Sequence, residues 1–155
     1  MKTRKLLAAV LMIIMVAAML IACAPKEETS WAITIEGAEK AEFTSADYAK
    51  LSKVSVDTVL STKDGTTKEQ TWEGVTLKDV IEYIGAGDYT SVTMEASDGY
   101  AQDYTVELVE DSMTVLGTKV NGEILGEEDG YIQSVAGSQP GNMWIKMLTK
   151  ITVNE

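Results

Sequence analysis

The sequence predicts an α+β domain in which antiparallel strands outnumber short helices. Segments of alternating apolar and polar residues recur along the chain, and the first covers 31–35 (Trp-Ala-Ile-Thr-Ile). Turn-forming sequences separate neighbouring segments, such as 63–66 (Lys-Asp-Gly-Thr) and 121–122 (Asn-Gly). Only two segments carry helical signals, and the sequence has no internal repeat. This pattern is typical of an antiparallel sheet protein with few helices.

The predicted strands follow one another with short connections. In chain order they cover 31–35, 54–60, a polar segment that ends near 72, 92–96, 100–106, 113–120, 123–125, 131–135 and 147–153. Two segments are predicted as loops, the acidic 127–130 and the Gly/Pro-containing 137–142.

The two predicted helices are recognised by their first turns. The first covers 44–51, with Asp47 favourably placed near its start. The second covers 77–84, where Thr76 caps the first turn and Asp79 completes a partial capping box. Its buried stripe consists of Leu77, Val80, Ile81 and Ile84.

The first 22 residues are predicted to be an export signal. Lys2, Arg4 and Lys5 make a positive start, and an uncharged run of 17 residues, 6–22, follows. The alternative is a transmembrane helix, which needs about 20 apolar residues. The run ends in Leu-Ile-Ala before Cys23, and this sequence resembles the lipobox of bacterial lipoproteins.

The lipobox resemblance implies cleavage before Cys23 and lipid attachment to its sulfur and new amine. The expected organisation is therefore a signal peptide at 1–22, a lipidated tether at 23–30 and one domain at 31–155. We expect the lipid to hold the domain outside the cytoplasm, on the cell membrane or outer membrane, because each buried CH₂ contributes about 0.8 kcal/mol.

The charge balance excludes some classes of partner. Without the signal, 10 basic residues remain against 24 acidic ones, and the net charge is −14. Histidine is absent, and the only arginine, Arg4, lies in the signal. We expect no nucleic-acid partner, since binding DNA or RNA requires cationic side chains on the phosphates. Cys23 is also the only cysteine, so no intramolecular disulfide can form.

The absence of histidine narrows the chemistry further. A Ser-His-Asp triad, a Cys-His pair and a histidine metal site are excluded, and the phosphate-binding glycine motifs are not present. The acidic loop 127–129 could supply oxygen ligands to calcium, but a solvated loop is the favoured interpretation. No metal site is predicted.

Four short motifs occur in a fixed order in the second half of the chain. They are 72–81 (Trp-Glu-Gly-Val-Thr-Leu-Lys-Asp-Val-Ile), 97–100 (Ser-Asp-Gly-Tyr), 120–125 (Val-Asn-Gly-Glu-Ile-Leu) and 141–151 (Gly-Asn-Met-Trp-Ile-Lys-Met-Leu-Thr-Lys-Ile). In order and spacing they resemble the W-x-G-V-x-L-x-D-L-L, S-D-G-Y, M-N-G-x-P-L and G-Y-K-W-x-K-W-L-T-R-I elements of the sulfite-oxidase-like molybdopterin-binding domain. The resemblance covers roughly 54–153 and implies that family's α+β fold.

The resemblance also implies a cofactor that this sequence is poorly equipped to hold. Active members bind molybdenum through a pterin dithiolene and one protein cysteine, which lies before the W-x-G element. The corresponding stretch, 54–61, has no cysteine, and the oxygen-bearing Asp57, Thr58 or Ser61 takes its place. An oxygen ligand is hard and does not reproduce a soft thiolate. We therefore expect no cofactor, with molybdopterin as the one the family allows.

The basic residues of the family are also reduced. In the closing element Met143 replaces the first family lysine, Lys146 retains the second, and Lys150 replaces the arginine. Family members use such residues to attract a pterin phosphate and anionic substrates. A domain of net charge −14 repels anions unless it has a local basic pocket.

The candidate ligand-binding residues are polar side chains within the family motifs: Ser97, Asp98, Tyr100, Asn142 and Lys146. No catalytic residue is predicted among them. Each also has a structural interpretation, since Asp98 suits a turn and Lys146 suits a surface position between two apolar neighbours. Trp72 and Trp144 are predicted to be core aromatics.

Three functions remain open. The first is a membrane-anchored, non-catalytic binding or accessory module with an unknown small ligand or surface partner. The second is a molybdopterin-dependent oxidoreductase with a non-cysteine metal environment. The third is a structural or adhesive surface domain. The missing thiolate and the missing arginine and histidine favour the first.

Overall fold

The computed structural model describes residues 30–62 and 64–155. The predicted signal 1–22, the lipid site Cys23 and all of the tether except Ser30 lie outside these residues, as does Lys63 of the predicted turn. Within the described part, no helix is long and apolar enough to cross a membrane.

Strands dominate the described part of the chain. The strands are β1 Ala32–Glu36, β2 Glu42–Thr44, β3 Val54–Ser61, β4 Thr67–Thr76, β5 Ser91–Ala96, β6 Ala101–Thr105, β7 Thr114–Val120, β8 Glu123–Ile124, β9 Gln133–Ala136 and β10 Leu148–Asn154. The α-helices are α1 Ser45–Tyr48, α2 Leu77–Tyr83 and α3 Val106–Glu110, and single 3₁₀ turns cover Glu127–Asp129 and Gly141–Met143.

The strands form two five-stranded sheets. The first has the order β2-β1-β10-β5-β6, in which β1 and β10 are parallel and the other neighbours are antiparallel. The second has the order β3-β4-β7-β8, and β9 also pairs with β7. The predicted α+β class, rich in antiparallel strands and with a few short helices, is confirmed.

The helices begin where the sequence places their caps. The Thr44 hydroxyl accepts a hydrogen bond from the backbone N–H of Asp47, whose carboxylate accepts from the Thr44 N–H in return, so a full capping box starts α1. The Thr76 hydroxyl likewise accepts from the N–H of Asp79 at α2. However, α1 ends at Tyr48, earlier than the predicted helix 44–51.

Three local features differ from the sequence predictions. The predicted strand 100–106 stops at Thr105, whose hydroxyl caps the unpredicted helix α3. Strand β2 was not predicted, although it pairs with β1. Residues 127–129, predicted as an irregular loop, form a 3₁₀ turn that ends at Gly130 in a left-handed conformation.

Candidate functional site

The turn between β5 and β6 carries three of the candidate residues. The Asp98 carboxylate accepts a hydrogen bond of 2.9 Å from the Tyr100 N–H, and Gly99 between them has φ 84°, which favours glycine. The Ser97 N–H donates to the Met147 carbonyl at 3.0 Å, which ties the turn to the start of β10. Asp98 therefore shapes the turn through its side chain, which binds the backbone of Tyr100.

Two tyrosines of this region hold the 3₁₀ turn Gly141–Met143. The exposed Tyr100 hydroxyl donates to the Asn142 carbonyl at 2.6 Å, and the buried Tyr104 hydroxyl donates to the Met143 carbonyl. The Ser134 hydroxyl donates to the Tyr104 oxygen at 3.1 Å. Burial raises the pKa of Tyr104 to about 12, so its hydroxyl stays protonated as a donor.

The structure brings Ser97, Tyr100 and Asn142 to one surface, with Lys146 beside it. Lys146 is exposed, and its side chain makes no hydrogen bond or ion pair within the part of the chain that the structure describes. Met147, its neighbour, has φ 50° and is partly exposed. Its sulfur lies 3.8 Å from the Ser97 hydroxyl. Ligand binding by these residues stays a prediction.

Two of the three oxygen-bearing candidates in the β3 stretch that corresponds to the family's cysteine position, Asp57 and Thr58, make hydrogen bonds within the protein. Asp57 accepts a hydrogen bond of 2.7 Å from the Thr71 hydroxyl. Thr58 is buried, and its hydroxyl donates to the Gln70 carbonyl at 3.1 Å. Ser61 is exposed at the end of the strand.

The loop 137–143 covers the inner face of β3. A Cβ atom added to Gly137 would lie 2.9 Å from the Thr58 methyl group, and one added to Gly141 would lie 2.5 Å from a Leu60 methyl group. The candidate surface at Asn142 and the β3 stretch are thus opposite sides of one loop.

Two buried tryptophans, Trp72 and Trp144, are in contact. Their rings meet edge to face with centroids 6.2 Å apart and an interplanar angle of 83°. The Trp144 indole N–H donates to the carbonyls of Ala136 at 2.8 Å and Gln139 at 3.2 Å. The Trp72 indole N–H has no hydrogen-bond partner among residues 30–62 and 64–155. Both rings are core aromatics, as predicted.

The donor set does not fit a molybdenum–pterin cofactor. Residues 30–62 and 64–155 contain no group of three histidine, cysteine, aspartate or glutamate side chains arranged to hold a metal. No cysteine lies in the domain; one carboxylate oxygen of Asp57 accepts a hydrogen bond from Thr71, and the Thr58 hydroxyl donates to the Gln70 carbonyl. Lys150 of β10, at the family's arginine position, pairs with Glu36 at 3.1 Å and Glu95 at 3.9 Å. The β3 stretch therefore supplies no thiolate, and the lysine at the family's arginine position is paired with two carboxylates.

A shallow depression exists at the opposite end of β5 from Ser97. Its walls are Asp88, Tyr89, Thr90 and Glu155. A six-residue strand spans about 20 Å, so this depression is separate from the candidate surface. The Glu127–Asp129 turn, considered for calcium, belongs to no such metal-binding group in the described chain.

Sequence analysis missed the polar atoms beneath Trp144. The carboxamide oxygen of Gln70 and the indole nitrogen of Trp72 are buried without hydrogen-bond partners. Both residues lie on β4, two positions apart, and a polar residue on a strand face gives no sign in the sequence of whether it finds a partner.

Comparisons with known proteins agree with the fold and the motifs. The model of the oxidoreductase molybdopterin binding domain matches residues 21–155. The sulfane dehydrogenase SoxCD from Paracoccus pantotrophus superposes with a TM-score of 0.70 at 19% identity, over 85% of this chain. This chain spans only 39% of the length of that one. No curated protein matches the sequence. The chain therefore belongs to the oxidoreductase molybdopterin-binding domain family and has a sulfite-oxidase-like fold.

Proposed function

We propose that this chain is a non-catalytic binding or accessory module built on the molybdopterin-oxidoreductase fold, anchored by lipid on Cys23 at an extracytoplasmic membrane surface. The family membership supports the frame. The chemistry of the site supports the loss of catalysis, and the sequence of the first 23 residues supports the anchor.

The observation that carries the proposal is that the β3 stretch has no thiolate and that its buried hydroxyl, on Thr58, is already hydrogen-bonded. A molybdenum site of this family needs a free thiolate, whereas the buried Thr58 hydroxyl is committed to the Gln70 carbonyl. The strand therefore uses this position for its own stability and not for a metal.

The surface formed by Ser97, Tyr100, Asn142 and Lys146 is the proposed binding face. The Tyr100 hydroxyl fixes the backbone at Asn142, which leaves the Asn142 side chain and the Lys146 ammonium exposed. The Lys146 ammonium, the exposed Asp98 carboxylate in the β5–β6 turn and neutral polar groups suit a polar ligand without the charge of a pterin phosphate. Nucleic acid is not a proposed partner, because the net charge of the domain is strongly negative.

Metal and pterin analysis tests the non-catalytic proposal. The protein is purified from its native host, molybdenum is measured by mass spectrometry, and pterin is measured by fluorescence after acid oxidation. We expect neither to accompany the chain in stoichiometric amount. Stoichiometric molybdenum with pterin would instead support the competing proposal, an oxidoreductase with a non-cysteine metal environment.

Mass spectrometry of the mature N-terminus tests the anchor separately. We expect the N-terminal peptide of the membrane fraction to begin at Cys23 and to carry acyl mass on it. A peptide that begins at Met1, or an unmodified Cys23, would contradict the anchor and leave the binding-module proposal standing. The variant C23S is the matched control, since it replaces the thiol by a hydroxyl of similar size and has no sulfur to carry the lipid.

A further inference from the structure

We propose that the inner face of the β3–β4 hairpin, beneath Trp144, binds one small neutral hydroxyl group, which accepts from the Trp72 indole N–H and donates to the Gln70 carboxamide oxygen. The group is a water molecule or the hydroxyl of a small organic compound. This site is distinct from the Tyr100–Asn142 surface and does not depend on the proposed function.

The first support is a buried donor and a buried acceptor that lack partners. Trp72 is only 3% exposed, and neither its indole nitrogen nor the Gln70 carboxamide oxygen has a hydrogen-bond partner. Each such atom costs about 1–3 kcal/mol when left unpaired. A native structure rarely keeps two of them together without a bound group.

The second support is that both atoms lie on one face of the hairpin. Gln70 and Trp72 are alternate residues of β4, so their side chains project to the same side. In the ladder with β3 they lie opposite Thr58 and Val56 respectively. The Cβ atoms of alternate strand residues are about 7 Å apart, a separation that a bridging hydroxyl can span between side-chain tips.

The Trp72 ring is oriented with its nitrogen away from β7. The carbon edge of the ring packs on Gly117 of β7, where an added Cβ would lie 2.5 Å from a ring carbon. The nitrogen lies across the ring from this edge, and β3 and β7 flank β4 on opposite sides. The N–H is therefore not directed at the backbone of Gly117.

The surroundings define the ligand as neutral and small. The hydrogen of the Thr58 hydroxyl is used on the Gln70 carbonyl, so this oxygen can only accept a further bond. Lys68 is the one charged residue that shares this face of the two strands, and it is exposed. Gln70 is only partly buried, which gives the ligand a path in. A group with one donor and one acceptor matches these atoms, whereas an anion or a cation does not.

Nuclear magnetic resonance of the full chain in detergent micelles tests the proposal, with ¹⁵N-tryptophan labelling. The variant W72F assigns the Trp72 indole signal. We expect this indole proton to show a cross-peak to a bound hydroxyl. Trp144 is the internal control, because it is 5% exposed and its N–H is bonded to backbone carbonyls, so it should show none.

The frequency and sign of the cross-peak distinguish a bound water molecule from a bound organic hydroxyl compound. A cross-peak at the water frequency with the sign of a long-lived contact identifies water. A cross-peak to a carbon-bound proton that belongs to no protein residue identifies an organic hydroxyl compound. Either result supports the site. A missing cross-peak, or a hydrogen-bond coupling from the indole directly to Gln70, would overturn it.

Substitutions locate the site. Q70M and T58V keep the volume of each side chain but remove an acceptor, and we expect both to abolish the cross-peak or shorten its lifetime. T114V is the matched control, because the Thr114 hydroxyl is also buried without a partner but lies on β7, away from the hairpin face. An unchanged cross-peak in Q70M, or equal loss in T114V, would contradict the assignment.

Discussion

Two polar regions of this domain differ in how completely their atoms are paired. At the start of α1, the Asp47 carboxylate accepts from the Thr44 hydroxyl at 2.8 Å, the Lys50 ammonium at 2.9 Å and the Tyr83 hydroxyl at 2.6 Å. The hydrogen bond from Tyr83, followed by that from Lys50, holds the pKa of Asp47 well below its usual range.

The face beneath Trp144 is the opposite case. Here the Thr58 hydroxyl donates its hydrogen to the Gln70 carbonyl. The Gln70 carboxamide oxygen and the Trp72 indole N–H have no hydrogen-bond partner in the described residues. A complete network such as that at Asp47 needs no ligand and stabilises the fold. An incomplete one is the kind of position at which we propose that a small hydroxyl group binds.

The largest expected effect on stability comes from removing the Trp144 ring, which packs against Trp72. W144A removes a buried ring and should lower the free energy of unfolding by about 3–5 kcal/mol. It should also make the Trp72 indole proton exchange rapidly with solvent. Chemical denaturation and hydrogen exchange check both effects. An indole proton at Trp72 that remains protected in W144A would show that Trp144 is not its cover.

A smaller effect is expected from shifting the Trp72 ring without removing it. G117A places a methyl group against that ring and should cost about 1–3 kcal/mol. G87A is the matched control, since a Cβ at Gly87 meets nothing within 4 Å. Thermal unfolding of both variants measures the difference. Equal stability of the two would mean that the ring does not rest on Gly117.

The complete network should respond to pH. D47N removes the charge and should cost about 1 kcal/mol at neutral pH. Because folding lowers the pKa of Asp47, its contribution is full above the ordinary aspartate value of about 3.9 and is lost as the pH falls through the folded pKa. The stability difference between wild type and D47N should therefore shrink below about pH 4.

Unfolding curves at several pH values check this prediction. D64N is the control, because hydrogen bonds from Thr62 and Thr66 lower the pKa of Asp64 to about 2, but this aspartate lies in an exposed turn. Its effect on stability should be smaller than that of D47N. A D47N difference that grows in acid would contradict the assigned role of the Asp47 network.

The smallest expected effect on stability is at the proposed binding face. K146Q removes an exposed ammonium that has no partner in the described structure, so the free energy of unfolding should change by less than about 0.5 kcal/mol. Calorimetric unfolding of wild type and K146Q measures this difference in the free energy of unfolding. A larger loss would show that Lys146 serves the fold and would weaken its place in the binding face.

The strand pattern and the four motifs predicted most of this fold, because they depend on local periodicity and turn chemistry. Thr44 and Thr76 start helices where the sequence indicated. Helix α3 was missed because the Thr105 cap competes with a strand pattern that continues to 106. Strand β2 was missed because three residues carry too little periodicity.

The candidate site was predictable only in part. The motifs singled out Tyr100 and Asn142 as separate candidates, and the structure joins them by a hydrogen bond. The unpaired state of Gln70 and Trp72 could not be predicted, because it depends on which atoms of β3, β7 and the 137–143 loop surround them. Only a tertiary arrangement decides whether a buried polar atom is satisfied.

A crystal structure of protein from the native host, with an anomalous map recorded at a molybdenum-sensitive wavelength, tests the central claim most directly. We predict no molybdenum peak beside Thr58, and density of hydroxyl size between the Trp72 indole nitrogen and the Gln70 carboxamide oxygen. A molybdenum peak with dithiolene density at the β3 stretch would contradict the account.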